Sequence, residues 1–167
     1  DKFDFKTCVD YGCAKGFLVH ALRILGCDAY GEDISEYAIE NCHPAVKNYV
    51  SHPNNKVYDL LICKDVLEHI DEVNIPDVLE KFLRKSNQFF FTIPLGDNDR
   101  FRIREYEVDV THVTKKDEEW WINMFERNGF KLKEFRYNLG SIKEKWMPEH
   151  PYGNGFFILE SVNDNTR

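Results

Sequence analysis

The sequence predicts an α/β domain, a mostly parallel sheet with helices on both faces and an antiparallel pair of strands at one edge. Three observations carry this expectation. Strand-like apolar runs alternate with helix-period segments along the chain. Residues 58–63 (YDLLIC) and 88–93 (QFFFTI) are almost continuously apolar, as in strands buried on both faces. The last two strand-like runs, residues 131–137 and 155–162, have no helical segment between them, which suits antiparallel neighbours.

The elements follow in order. Residues 7–11 read as the first strand, and residues 16–25 as a helix closed by Gly26. Phe17, Ala21, Ile24 and Leu25 share one face of that helix, with Leu18 and Leu22 beside them, and this stripe is the expected core contact. Residues 29–33 form a second short strand. Ser35 is placed to cap the next helix, with Glu36 near its positive end. Residues 46–50 are assigned a short third strand and residues 58–63 the fourth. Ile75, Val78, Leu79, Phe82 and Leu83 then recur at i, i+3, i+4, i+7 and i+8, an amphipathic helix. Residues 88–93 are a fifth strand stopped by Pro94.

The connection over residues 95–111 is 17 residues long, against a usual ~4–6, so it is a candidate functional loop. Thr114 and Asp117 have capping-box spacing ahead of a helix carrying Trp121, Met124 and Phe125, which ends at Gly129. Between the last two strands lies a segment with Trp146, His150 and Tyr152.

A hydrophobic content of 43% with 14% aromatics indicates a folded protein, and 167 residues suit one domain over 1–167. The net charge of −7 disfavours general binding to a phosphate backbone, so a small-molecule partner is expected over a nucleic acid. The five cysteines are scattered without a C-x-x-C pair, as for reduced thiols in a cytoplasmic protein. No apolar run approaches the roughly 18 residues of a spanning helix, and no membrane partner is expected. Oligomeric state leaves no mark in the sequence.

The most informative segment is Val9-Asp10-Tyr11-Gly12-Cys13-Ala14-Lys15-Gly16, which joins the first strand to the first helix. Small residues at such a turn let backbone amides approach a ligand. Asp33, 21 residues after Gly12, ends the next strand, where a carboxylate can accept both hydroxyls of a ribose. Glu32 is the rival for that role. The pattern implies a nucleoside-containing cofactor. It departs from the dinucleotide form G-x-G-x-x-G by reading D-x-G-x-A-x-G.

Together with Asp65-Val66-Leu67-Glu68-His69 after the fourth strand and Thr111-His112-Val113-Thr114 after the fifth, this turn resembles the class I S-adenosylmethionine-dependent methyltransferases. The likeness runs from Cys8 to about Leu159. It implies a three-layer Rossmann-like fold with a seven-stranded sheet of order 3-2-1-4-5-7-6, strand seven antiparallel. It also implies N-terminal lid helices that lie outside this sequence. By position, Asp10, Gly12, Cys13, Ala14 and Gly16 correspond to the loop under the methionyl part of S-adenosyl-L-methionine. Asp33 corresponds to the ribose anchor, Ile34 to a side chain flanking the adenine, and Lys64 and Asp65 to the sulfonium end. Ala14 stands where the family's middle glycine falls, and residues 33–58 lack the family's segment after strand three, so no adenine-reading residue is assigned.

Methyl transfer to a hydroxyl requires alignment and removal of one proton, which a histidine or a bound metal can assist. Asp65, His69 and His112 are the candidate catalytic residues. The set Asp65, Glu68, His69 and His112 is also similar to the metal site of two methyltransferase branches, the small-RNA 3′-terminal 2′-O-methyltransferases and the ubiquinone-pathway O-methyltransferases. Such a set suits Mg²⁺, Mn²⁺ or Fe²⁺. Three readings stand open: a metal site, His112 as a metal-free base, and a structural corner. The positive end of the helix after His112 favours a neutral imidazole and hence the base. Arg100, Arg102 and Arg104 alternate and would share one face of an extended loop; for Trp146 and Tyr152 two readings stand open, stacking on a sugar and ordinary edge packing. The expected activity is O-methylation of a small molecule such as a sugar or glycan precursor. The alternatives are a metal-assisted RNA 2′-O-methyltransferase and a non-catalytic S-adenosylmethionine-binding module of a larger protein.

Overall fold

Alternation along four buried strands divides the core in two. In the computed structural model, which describes residues 3–162, β1 (Thr7–Tyr11), β4 (Leu60–Lys64) and β5 (Gln88–Pro94) form the centre of the sheet. Successive side chains point to opposite faces. Val9, Leu61, Cys63, Phe89 and Phe91 therefore pack on one side, against α3 (Ile75–Leu83) and α4 (Glu118–Arg127). Cys8, Leu60 and Ile62 pack on the other, with Val19 of α1 (Phe17–Ile24) and Ala29 of β2 (Asp28–Glu32).

The edge on the β2 side is β3 (Val50–Ser51), and the opposite edge is β8 (Phe130–Arg136) beside β9 (Asn154–Ser161). The order is β3-β2-β1-β4-β5-β9-β8, parallel except for β9, which runs antiparallel to both neighbours. Counting the seven sheet strands alone, this is 3-2-1-4-5-7-6 with the seventh antiparallel, as expected. The carboxyl ends of β1, β2, β4 and β5 lie on one edge, where loops meet in a parallel sheet. Asp1, Lys2 and residues 163–167 of the expected 1–167 domain lie outside the described residues. Among the described residues no helix is long and apolar enough to cross a membrane.

Four local expectations are corrected. The face of α1 carrying Phe17, Ala21, Ile24 and Leu25 points to solvent, with Phe17, Ile24 and Leu25 exposed by 66, 72 and 78%. The core contact is Val19, flanked by Leu18 and Leu22. The helix offers two apolar stripes, and the turn before it chooses: Gly16, at φ 72°, passes so near Val46 and Val50 that a Cβ there would lie 2.9 and 3.1 Å from their methyls. The third strand is only Val50–Ser51, because Pro44, with its fixed φ, starts a 3-10 turn at Pro44–Val46.

Thr114 does not cap α4. Its hydroxyl donates to the Ile70 carbonyl, while Asp117 accepts the Trp120 amide at 2.8 Å. Nor do the arginines share a face. The long connection folds into a hairpin, β6 (Gly96–Asp97) and β7 (Arg100–Phe101), then a 3-10 turn at Arg104–Val108. Arg102 is taken up by Asp97 and Glu118. Ser35, by contrast, caps α2 (Glu36–Glu40) as expected, accepting from the Ala38 amide.

Candidate active site

The β1–α1 turn is shaped by its small residues. Gly12 has φ 77°, and a Cβ there would come within 2.3 Å of Val66 Cγ2 in the loop after β4. Glycine is required on both counts. The Gly12 and Cys13 amides donate to the Glu32 carbonyl, fastening the turn to the end of β2. Asp33 completes the join: Oδ2 accepts the Ala14 amide and Oδ1 the Ser35 amide, each at 2.8 Å. A carboxylate has about four acceptor positions, so two remain for a ligand's hydroxyls. Ile34, beside it, is exposed. The rival Glu32 points into the protein, where its buried carboxylate pairs with buried Lys85 at 2.8 Å. It is not available to a ligand at this edge.

Asp10 is buried at the end of β1. Burial pushes its carboxyl up to about 7, against the pull of Lys64 and with the help of Asp33. Cys13 is likewise raised to about 12 by burial and packs on Gly31, so its thiol is a filler and no nucleophile.

Asp65 follows β4 with φ 56°, a strained conformation for a non-glycine residue. Its Oδ2 accepts from Lys64 at 2.7 Å, and its Oδ1 from Lys143 and Thr92. Burial opposes ionisation, yet the two ammonium groups hold its carboxyl below the ordinary value. Lys143 Nζ also bonds Tyr106 Oη and Asn154 Oδ1. Lys143, Tyr106 and Asn154 were not among the expected site residues. Nothing local marks them; Lys143 lies 78 residues from Asp65 along the chain.

Glu68, His69 and His112 come together: each offers a ligand atom, and these atoms lie within 4.8 Å of one another. Asp65, the fourth member of the expected metal set, is not part of this cluster, and its carboxylate is engaged by lysines instead. The join between the two loops is a backbone one, the Val113 and Thr114 amides donating to the Glu68 carbonyl. The Glu68 side chain is fully buried. Burial, reinforced by the charge of Asp65, pushes its carboxyl up to about 8, and neither oxygen has a hydrogen-bond partner on another of the described residues.

The two imidazoles are in defined tautomers. His112 Nδ1 lies 2.8 Å from the Tyr106 carbonyl, which can only accept, so Nδ1 carries the proton. His69 Nδ1 lies 2.8 Å from Thr111 Oγ1, whose own proton goes to Asp109 at 2.6 Å; Nδ1 is therefore again the donor. With both Nδ1 atoms so committed, the Nε2 atoms are the ones left to meet a further partner, and that of His112 lies 3.8 Å from Asp109 Oδ2. Burial and the neighbouring His112 keep His69 below its ordinary value. The positive end of α4 does not act on His112 as expected, because α4 starts only at Glu118 and a helix dipole fades within a turn. The Tyr106 carbonyl is what fixes the ring.

Of the expected aromatic contacts, Trp146 packs on Tyr106 with centroids 5.9 Å apart, and Tyr152 packs edge-on against Tyr137.

The sheet order is that of the class I S-adenosylmethionine-dependent methyltransferases. Residues 1–134 match the family described as methyltransferase domain, and the chain belongs to that family. Solved structures with the same fold include the mitomycin 7-O-methyltransferase MmcR, 14% identical with a TM-score of 0.73 over 96% of this chain and 50% of that one. A S-adenosylmethionine-dependent methyltransferase from Archaeoglobus fulgidus is 15% identical with a TM-score of 0.71, over 94% of this chain and 86% of that one. The small RNA methyltransferase HEN1 is 16% identical with a TM-score of 0.70, over 98% of this chain and 24% of that one. The present chain thus spans half the length of MmcR and a quarter of HEN1. A search of the curated proteins found no significant match.

Proposed function

We propose that this chain binds S-adenosyl-L-methionine at the carboxyl edge of its sheet and transfers the methyl group to a hydroxyl of a small molecule, a sugar or glycan precursor being the favoured class. The residues fit the cofactor. The turn from Asp10 through Gly12, Cys13, Ala14 and Gly16 is held open by positive φ at three small residues, Asp33 keeps acceptor capacity, and Ile34 is an exposed apolar flank. When bound, the sulfonium supplies an already activated methyl for in-line displacement. Lys64 and Asp65 would lie at its reactive end.

The observation that carries oxygen as acceptor is His112, with its Nδ1 proton committed to the Tyr106 carbonyl and its Nε2 lying beside the His69 ring, 3.8 Å from Asp109 Oδ2, a carboxylate placed to steady the imidazolium once a proton is taken. Nε2 takes the hydroxyl proton as the oxygen gains the methyl, and the resulting imidazolium keeps its bond to the carbonyl. His69 narrows the same space and, through Thr111 and Asp109, is fixed in the same tautomer. The net charge of −7 supports a small acceptor over RNA. In this reading His112→Ala lowers turnover on a competent acceptor by about 10²–10⁴ while S-adenosylhomocysteine affinity stays within twofold. Unchanged turnover would remove the base role.

A second reading, metal-assisted transfer with RNA 2′-hydroxyls among the acceptors, is favoured by Glu68, whose buried oxygens lack partners within reach of both imidazoles. One carboxylate and two Nε2 donors fit Mn²⁺, Fe²⁺ or Mg²⁺, which would polarise the acceptor oxygen. Here Mn²⁺ binds the chain calorimetrically, Glu68→Gln abolishes binding, and exhaustive chelation stops turnover. Turnover that survives chelation excludes it. A silent cofactor-binding module is left only if S-adenosylhomocysteine binds and no acceptor class is methylated.

A further inference from the structure

The inventory of the Lys143 ammonium points to a moving part. Its three N–H groups are all committed, to Asp65 Oδ1 at 2.5 Å, Tyr106 Oη at 3.1 Å and Asn154 Oδ1 at 2.9 Å. It has no donor left for an acceptor molecule, so it is no ready-made substrate contact. Instead it ties its own segment to the protein. That segment, residues 139–150, crosses from β8 to β9 and is largely exposed, yet the Lys143 side chain is only 11% exposed. Beside it, Trp146 packs on the Tyr106 ring, which in turn lies 5.9 Å from the His112 ring.

Lys143 and Asp65 both have φ 56°; aspartate tolerates that left-handed conformation, but for lysine it persists only where surrounding contacts hold it. The flanks differ in the freedom they allow. Gly140, at φ 57°, lies in a turn closed by the Leu139–Ile142 bridge, and among the described residues nothing lies within 4 Å of where a Cβ would stand, so the turn can swing as a hinge. Gly153 is clamped: a Cβ there would lie 2.4 Å from Ile103 Cγ1, and its carbonyl accepts from the Leu95 amide.

We propose that residues 139–150 form a lid over the carboxyl edge of the sheet, hinged near Gly140 and latched by Lys143 on Asp65, and that Lys143 is a positioning residue whose release admits ligand. The inference rests on the methyltransferase reading only in taking Asp65 as the reactive end of the cofactor site. In the latched state Lys143 and Trp146 cover Asp65, Tyr106 and the approach to His112. Unlatched, the same groups face an open edge.

Hydrogen exchange on the purified chain tests the latch without any ligand. Lys143→Met is expected to speed amide exchange across 139–150 by about tenfold or more, since a hydrogen bond to a charged group contributes roughly 1.5–3 kcal/mol. Residues 60–64 and 88–94 keep wild-type rates. Asp65→Asn gives the same local rise from the other partner, and Lys143→Arg stays closer to wild type. Stopped-flow association of S-adenosylhomocysteine accelerates in Lys143→Met, which loss of mere structural support would not produce. Unchanged exchange over 139–150 in both variants overturns the proposal. So does a rise that spreads equally through the sheet, because the lysine would then be a general support. If local exchange rises while no variant binds S-adenosylhomocysteine, the lid stands and the cofactor reading falls.

Discussion

Replacing Gly12 by alanine tests the turn from two directions. An L-residue at φ 77° costs roughly 1–2 kcal/mol relative to glycine. The new methyl would sit 2.3 Å from Val66 Cγ2, an overlap that something must relieve, at about 1–3 kcal/mol. Together these give about 3 kcal/mol for Gly12→Ala, which in a chain of this size lowers the Tm by roughly 6–12 °C. The two parts separate in a double-mutant cycle. Val66→Ala removes the colliding methyls but leaves the dihedral penalty. The double variant is therefore less destabilised than the sum of the singles, by about 1–3 kcal/mol. Urea unfolding of the four proteins measures this, with thermal shift by S-adenosylhomocysteine as a second reading of the same turn. A Tm within a degree of wild type for Gly12→Ala, or strict additivity in the cycle, would refute the reasoning.

The buried groups nearby give further tests. Asp10 has its folded pKa raised to about 7, so the folded state keeps a proton that the unfolded state loses. The wild type's stability advantage from this group is full below the unfolded value and is lost as pH rises toward 7; above that the loss is constant. Asp10→Asn is therefore progressively more stable than wild type between pH 4 and 7, by an amount on the order of 2–4 kcal/mol at most. A difference that does not change with pH contradicts the assignment. Lys85→Met strands the buried Glu32 carboxylate and is expected to cost about 3–5 kcal/mol, whereas Glu32→Met with Lys85→Met returns close to wild type in urea unfolding. Equal losses in the single and double variants would mean the pair is not coupled.

What was legible in the sequence was what local pattern dictates. The runs in β4 and β5 and the stripe of α3 needed only their own residues, and so did the turn from Asp10 to Gly16. The phase of α1 was not legible, because Phe17, Ala21, Ile24 and Leu25 make as good a stripe as Leu18, Val19 and Leu22. The decision falls to Gly16 pressed against Val46 and Val50, a contact made across the fold. The start of α4 failed for the same reason: Thr114 had cap spacing, but the Ile70 carbonyl claims its hydroxyl. At the site, three members of the expected set meet because the Glu68 carbonyl binds the loop holding His112. Asp65 was drawn away by Lys143, whose relevance depends on the course of a loop that no periodicity describes.

The central claim is that the edge formed by the glycine turn and Asp33 holds S-adenosyl-L-methionine. Isothermal titration of wild type and Asp33→Asn with S-adenosylhomocysteine tests it most directly, with far-ultraviolet circular dichroism to verify the fold of both. One equivalent should bind wild type, and Asp33→Asn should bind about 10–100-fold more weakly, the loss expected for a charged hydrogen-bond partner. Absence of binding to the folded wild type, or equal affinity in the two proteins, would contradict the account.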